Sequence, residues 1–106
     1  MSGVSILVTT IDAEDKARAL ARAAIAEKLA ACVQIWPILS FYEWRGEFCE
    51  TAEYRLEMKH RAEDYPALAA LVRRLHAYET PEILRLEAAQ ADADYRAWIA
   101  EATRRD

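Results

Sequence analysis

The chain has 106 residues, 54% of them hydrophobic and 30% charged, a balance that excludes a disordered segment and predicts one globular domain over residues 1–106. Acidic residues outnumber basic ones 18 to 14 for a net charge of −4, which argues against nucleic acid as a partner, because phosphate binding wants a basic surface. No apolar run approaches the roughly 20 residues of a membrane span, and MSGVSILVTT lacks the basic and apolar regions of a signal peptide, so no membrane association and a cytoplasmic location are expected.

Residues 4–10, VSILVTT, are β-branched and mostly apolar, which predicts a buried strand. A helix follows to about Ala30, with Asp12 as the expected N-cap and Glu14 and Asp15 at the positive end of its dipole. Ala17, Leu20, Ala21, Ala24, Ile25 and Leu29 form its apolar stripe. CVQIWPILSFYEW, from Cys32, reads as a strand in which Pro37 marks a bend, a bulge or an edge. Arg45-Gly46 gives a tight turn, and EFCETAEYRLEMKH returns with period two. Its even positions, Phe48, Ala52, Tyr54, Leu56 and Met58, are expected on a core, and its odd ones in solvent.

AEDYPALAALVRRLHA predicts a second helix, with Asp64 as cap, Pro66 in the first turn and Leu68, Leu71, Val72 and Leu75 buried. Pro81 forces extended backbone ahead of the short strand EILRLEA. The C-terminal DADYRAWIAEATRR predicts a helix capped near Asp92, with Tyr95, Trp98 and Ile99 facing inward. The fold class is therefore α+β: a ferredoxin-like βαββαβ arrangement with an antiparallel sheet, a long β2–β3 hairpin and a C-terminal helix.

That hairpin is too long for the domain. A chain of this length folds to a radius of gyration of roughly 13 Å, whereas residues 47–60 in strand geometry reach on the order of 45 Å. Its far end carries Phe41, Tyr42, Trp44 and Phe48. Either Pro37 or a bulge folds the hairpin back over its own sheet, or an aromatic overhang with unpaired edges drives association, most simply in a closed symmetric assembly, which is the favoured reading.

Residues with chemistry cluster in LHAYETPEI, residues 75–83. His76 reads either as a soft-metal ligand or protonated anion binder, or as a helix C-terminal histidine bonded to a carbonyl. Glu79 and Glu82 read as general acid–base partners or as salt-bridge partners, the latter favoured because nothing nucleophilic adjoins them. Tyr78 is expected to anchor the connector against the sheet. Trp44 reads as a pocket wall or as packing. Cys32 behaves as a small hydrophobe if buried and as a copper(I) ligand if a thiolate. With only Gly3 and Gly46, the sequence has no glycine-rich phosphate loop.

AEKLAACVQIWP, SFYEWRGE, LEMKH, LHAYETPEI and DYRAWI occur in order along nearly the whole chain. In this it resembles the CutA family of divalent-cation tolerance proteins. The resemblance implies a cytoplasmic, non-enzymatic homotrimer built through its long hairpins and similar in architecture to the PII signalling proteins, with a part in tolerance to copper and other divalent cations. It implies no certain cofactor; copper or another divalent cation is the candidate, with His76 as the ligand the resemblance offers and Cys32 a second candidate on its thiol chemistry alone. By analogy to PII proteins, Lys59 joins Trp44, Tyr78, Glu79 and Glu82 around an intersubunit cleft for a small anionic ligand, so a metabolite sensor and a direct copper binder stand as alternatives. The chain departs from the family pattern at Thr9, His60, Leu75, Ala77 and Ala91-Asp92. Of the copper ligands proposed for some members it keeps His76.

Overall fold

The computed structural model describes residues 3–105. Along the chain run β1 (Val4–Ile11), α1 (Glu14–Ala26), β2 (Cys32–Trp44), β3 (Glu47–Arg61), α2 (Tyr65–Leu75), β4 (Ile83–Glu87) and α3 (Ala93–Ala102), with a 3-10 turn, Ala62–Asp64, ahead of α2. The sheet has four strands in the order β2-β3-β1-β4, and every neighbouring pair is antiparallel. This is the expected ferredoxin-like α+β topology.

The register assigns the sheet's two faces, because directly opposed residues share a face. Leu7 pairs with Met58, and Thr9 with Leu56. Leu7, Leu56 and Met58 meet Ala17, Leu20 and Ala24 of α1 and Leu68, Leu71 and Val72 of α2 in the main core. The alanines of α1 let its backbone approach the sheet. The opposite face carries Thr10 against Arg55 and, on β2, Trp36 against Arg55, Ile38 against Glu53 and Tyr42 against Cys49. Arg61 of this face donates to the Thr103 carbonyl at the end of α3 (3.5 Å).

Several sequence expectations shift. Helix α1 ends at Ala26 rather than Ala30, since Lys28 adopts a φ of 57° and the chain turns back, Leu29 N–H bonding to Ala24 O at 3.1 Å. Its N-cap is Ala13, without a side-chain cap; Asp12 instead pairs with Lys16 (3.2 Å). Ile25 is exposed. Asp64 occupies the N-cap position of α2 without capping it; its buried carboxylate takes Arg61 Nε (3.1 Å) and Arg105 (2.6 Å). Arg105 also donates to Lys28 O (2.7 Å), so one guanidinium ties the chain end to the α1–β2 and β3–α2 junctions. Asp92 caps α3 as expected, accepting from Asp94 and Tyr95 N–H. Of the trio expected to face inward, Ile99 is buried while Tyr95 and Trp98 are exposed and stack on each other (5.7 Å).

Strand β2 pairs with β3 without a break from Cys32↔Lys59 to Trp44↔Glu47. Pro37 therefore makes no bulge; it is accommodated because β2 is an edge strand. Arg45 and Gly46 form the turn with φ of 52° and 80°, the left-handed pair that a two-residue hairpin requires. Strand β1 stops pairing at Ile11↔Tyr54, so residues 47–53 of β3 and their β2 partners project beyond it. The overhang draws the molecule out to 45 × 26 × 21 Å. On it the period-two reading fails: Phe48 is 72% exposed, and Glu53, an odd polar position, is 6% exposed.

Candidate functional site

Where β1 ends, the connector from α2 to β4 closes against the base of the overhang. Helix α2 stops because His76 turns extended (φ −72°, ψ 144°), and Pro81 keeps the chain from resuming a helix. The His76 ring fixes the connector from both sides. Tyr78 N–H donates to Nδ1 (3.1 Å), which places the ring proton on Nε2, and Nε2 donates to the Thr10 carbonyl (2.8 Å). The Tyr78 ring lies 4.8 Å from the imidazole. Its hydroxyl donates to Glu53 Oε2 at 2.6 Å. Burial, this bond and the Glu53 charge push the phenol well above its usual range.

The result is a cleft of about 350 Å³. Thr10 of β1 and Glu53 of β3 form its floor, Tyr42 and Trp44 of β2 one wall, and Tyr78, Glu79, Thr80 and Glu82 of the connector the other. At its rim Arg45 pairs with Glu79 (2.7 Å) and lies over the Trp44 ring, 5.2 Å from the centroid. Four of the five residues assigned to a ligand cleft from sequence, Trp44, Tyr78, Glu79 and Glu82, thus meet around one cavity.

Lys59 does not join them. It faces Ile6 and Cys32 in the register, about 20 Å along β3 from Glu53 at roughly 3.4 Å per residue. Its ammonium is held by Gln34 and lies 3.9 Å from Glu57. Nor does the chain bring Cys32 to His76. Cys32, a half-buried free thiol, pairs beside Lys59, whereas His76 is bound to Thr10 at the other end of the sheet. Both His76 nitrogens are engaged, so ligation within this chain would break a hydrogen bond. Among the described residues no three His, Cys, Asp or Glu side chains are grouped to hold a metal ion.

Two residues escaped the sequence reading. Glu53 lies on the polar alternation of β3, and its burial is created by Tyr78, far along the chain. His60 is fully buried beside Tyr65 (6.0 Å). Its Nδ1–H donates to Arg61 O (2.7 Å), which leaves Nε2 without a partner among the described residues. Burial, the largest influence, lowers its pKa below 6.5.

The chain is thus a small α+β protein, a ferredoxin-like sheet with an overlong hairpin and a cleft at the hairpin's base. The comparisons give its family. The family model for the CutA1 divalent ion tolerance protein matches residues 5–102. The Divalent-cation tolerance protein CutA of Thermus thermophilus is 38% identical over 99 residues, covering 92% of this chain and 96% of that one. Protein CutA of Homo sapiens is 37% identical over 94% of this chain, which spans 56% of the human protein's length. Among solved structures, CutA from Synechococcus elongatus superposes with a TM-score of 0.94 at 34% identity, covering 98% of this chain and 93% of that one. The protein from Archaeoglobus fulgidus described as the periplasmic divalent cation tolerance protein CutA gives 0.93 at 29% identity, over 95% and 99% of the two chains. This chain belongs to the CutA divalent-cation tolerance family, which is named for tolerance and not for an enzymatic reaction. Among the described residues no helix is long and apolar enough to cross a membrane.

Proposed function

We propose that this protein is a cytoplasmic, non-enzymatic, PII-like homotrimer that contributes to divalent-cation tolerance, copper included, by binding a small ligand in the cleft at the hairpin base. The observation that carries the reading is the overhang. Leu39, Phe41 and Phe48 lie 69%, 60% and 72% exposed on it, and the outer edge of residues 47–53 pairs with no other strand among the described residues. Burying such side chains is worth about 1.5–3 kcal/mol each, and an open apolar edge recruits further chains. Three copies docked in a ring leave no free edge behind.

Binding rather than catalysis fits the cleft's carboxylates. Glu53 is held by Tyr78 and Glu79 by Arg45, so both are engaged in structural pairs. In this reading metal tolerance is indirect. Calorimetric titration with copper(I) and copper(II) tests that: no uptake tighter than millimolar is expected. Micromolar uptake lost in Cys32→Ala or His76→Ala would make the protein a direct copper binder through groups of neighbouring subunits.

A further inference from the structure

The charge and shape of the cleft narrow the class of ligand. Among the described residues no lysine or arginine lines it; Arg45 at the rim is already paired with Glu79, and Arg55, opposite Thr10, lies over Trp36 and 3.6 Å from Glu57. Glu53 and Glu82 remain to set its sign. Glu53 is 6% exposed, and Tyr78 is the one hydrogen-bond donor to its carboxylate among the described residues. A buried carboxylate held by a single neutral donor favours a cationic guest, and an anion would meet it at close range. The walls are aromatic, and a ring face attracts a cation through its quadrupole. Arg45 displays that chemistry within the molecule, its guanidinium 5.2 Å above Trp44 and 2.7 Å from Glu79. That pair is about two-thirds exposed on each side, 67% and 71%, so a ligand displaces it at small cost.

A bare metal ion suits the cleft less well. No three His, Cys, Asp or Glu side chains converge to hold a metal ion among the described residues, and the carboxylates of Glu53 and Glu79 are already engaged by Tyr78 and Arg45. A volume of about 350 Å³ is at the small end of the range for organic ligands. We propose that the cleft takes a small organic cation, an alkyl diamine or amino-guanidine. One charged end sits on Glu53, the chain lies against Trp44 and Tyr42, and the other end reaches Glu82. The proposal rests on the reading of this cleft as the ligand site, and it reverses the sign of the ligand that the analogy with Lys59 suggested.

The test is calorimetric titration of the full chain with agmatine and with 1,4-diaminobutane, with succinate as the anionic control. Light scattering is run on the same samples. Saturable binding of at least one amine and none of succinate is expected. Glu53→Gln, which keeps a hydrogen-bond acceptor for Tyr78, should weaken amine binding by about tenfold or more. Arg45→Ala, at an exposed turn where folding is least at risk, should tighten it several-fold by vacating Trp44 and Glu79. Lack of amine binding at millimolar concentration by a properly assembled protein overturns the ligand class and leaves the assembly standing. Amine binding by a monomer supports the ligand class and overturns the assembly. Binding that neither variant alters, preferential binding of succinate, or copper(II) uptake abolished by Glu53→Gln each overturns the proposal.

Discussion

Tyr78 donates its hydroxyl to the carboxylate of Glu53 at 2.6 Å, joining the connector to the hairpin base across the floor of the cleft. The bond explains a buried glutamate that would otherwise be an uncompensated charge. Tyr78→Phe should therefore destabilise the fold by about 1–3 kcal/mol, the cost of stranding a buried acceptor. The double variant Tyr78→Phe/Glu53→Leu should recover much of that loss, because it removes both polar partners. Urea unfolding of Tyr78→Phe, Glu53→Leu and the double variant checks this; an additive double mutant would contradict it.

His60 makes stability depend on pH. Its folded pKa is lowered by burial beneath the ordinary 6.5, so between the two values the unfolded chain binds more protons than the folded one. Stability then rises with pH across that window and falls as the solution is acidified below about 6.5. His60→Leu, which removes the titrating ring and its orphaned Nε2, should flatten the dependence between pH 6.5 and its lower limit. Melting temperatures of both proteins over a pH series measure the difference; parallel curves would contradict the assignment.

The fold was legible because hydrophobic period and turn chemistry agreed. Apolar β-formers marked β1, the 3.6-residue stripe of alanines and leucines marked α1, and Arg45-Gly46 fixed the hairpin register. The connector half of the cleft was legible too, since Pro81 marked extended backbone after a helix and gathered Tyr78, Glu79 and Glu82 into one short segment. Glu53 was not. Local alternation puts it in solvent, and only a partner brought in by tertiary structure buries it. Lys59 came from analogy between folds, and the register carries it down the strand from the cleft. Tyr95 and Trp98 were expected to face inward with Ile99, yet both are exposed on the surface of the single chain.

Asp64 and Arg105 make the chain's end structural. Asp64→Asn removes the carboxylate that Arg61 and Arg105 share, leaving Arg61 only the more distant Glu63 at 3.8 Å among the described residues, and should cost about 1–3 kcal/mol, a loss typical of hydrogen bonds to charged groups. Arg105→Ala should cost less, because Arg105 is partly exposed and Asp64 keeps Arg61. Chemical denaturation ranks the two, and the reverse order would contradict the arrangement.

On the overhang, Leu39→Ser/Phe48→Ser should keep the fold, since both side chains lie outside the main core. It should instead weaken association by removing apolar area from the contact. Circular dichroism should be unchanged while sedimentation shifts to smaller species on dilution. A variant that assembles as tightly as the parent would move the contact elsewhere.

The solution mass of the unaltered chain at micromolar concentration, measured by multi-angle light scattering, bears most directly on the whole account. Three times the 12.1 kDa chain mass is predicted. A steady 12.1 kDa would mean that the projecting ribbon is stable in water by itself, and would contradict the assembly on which the proposed function depends.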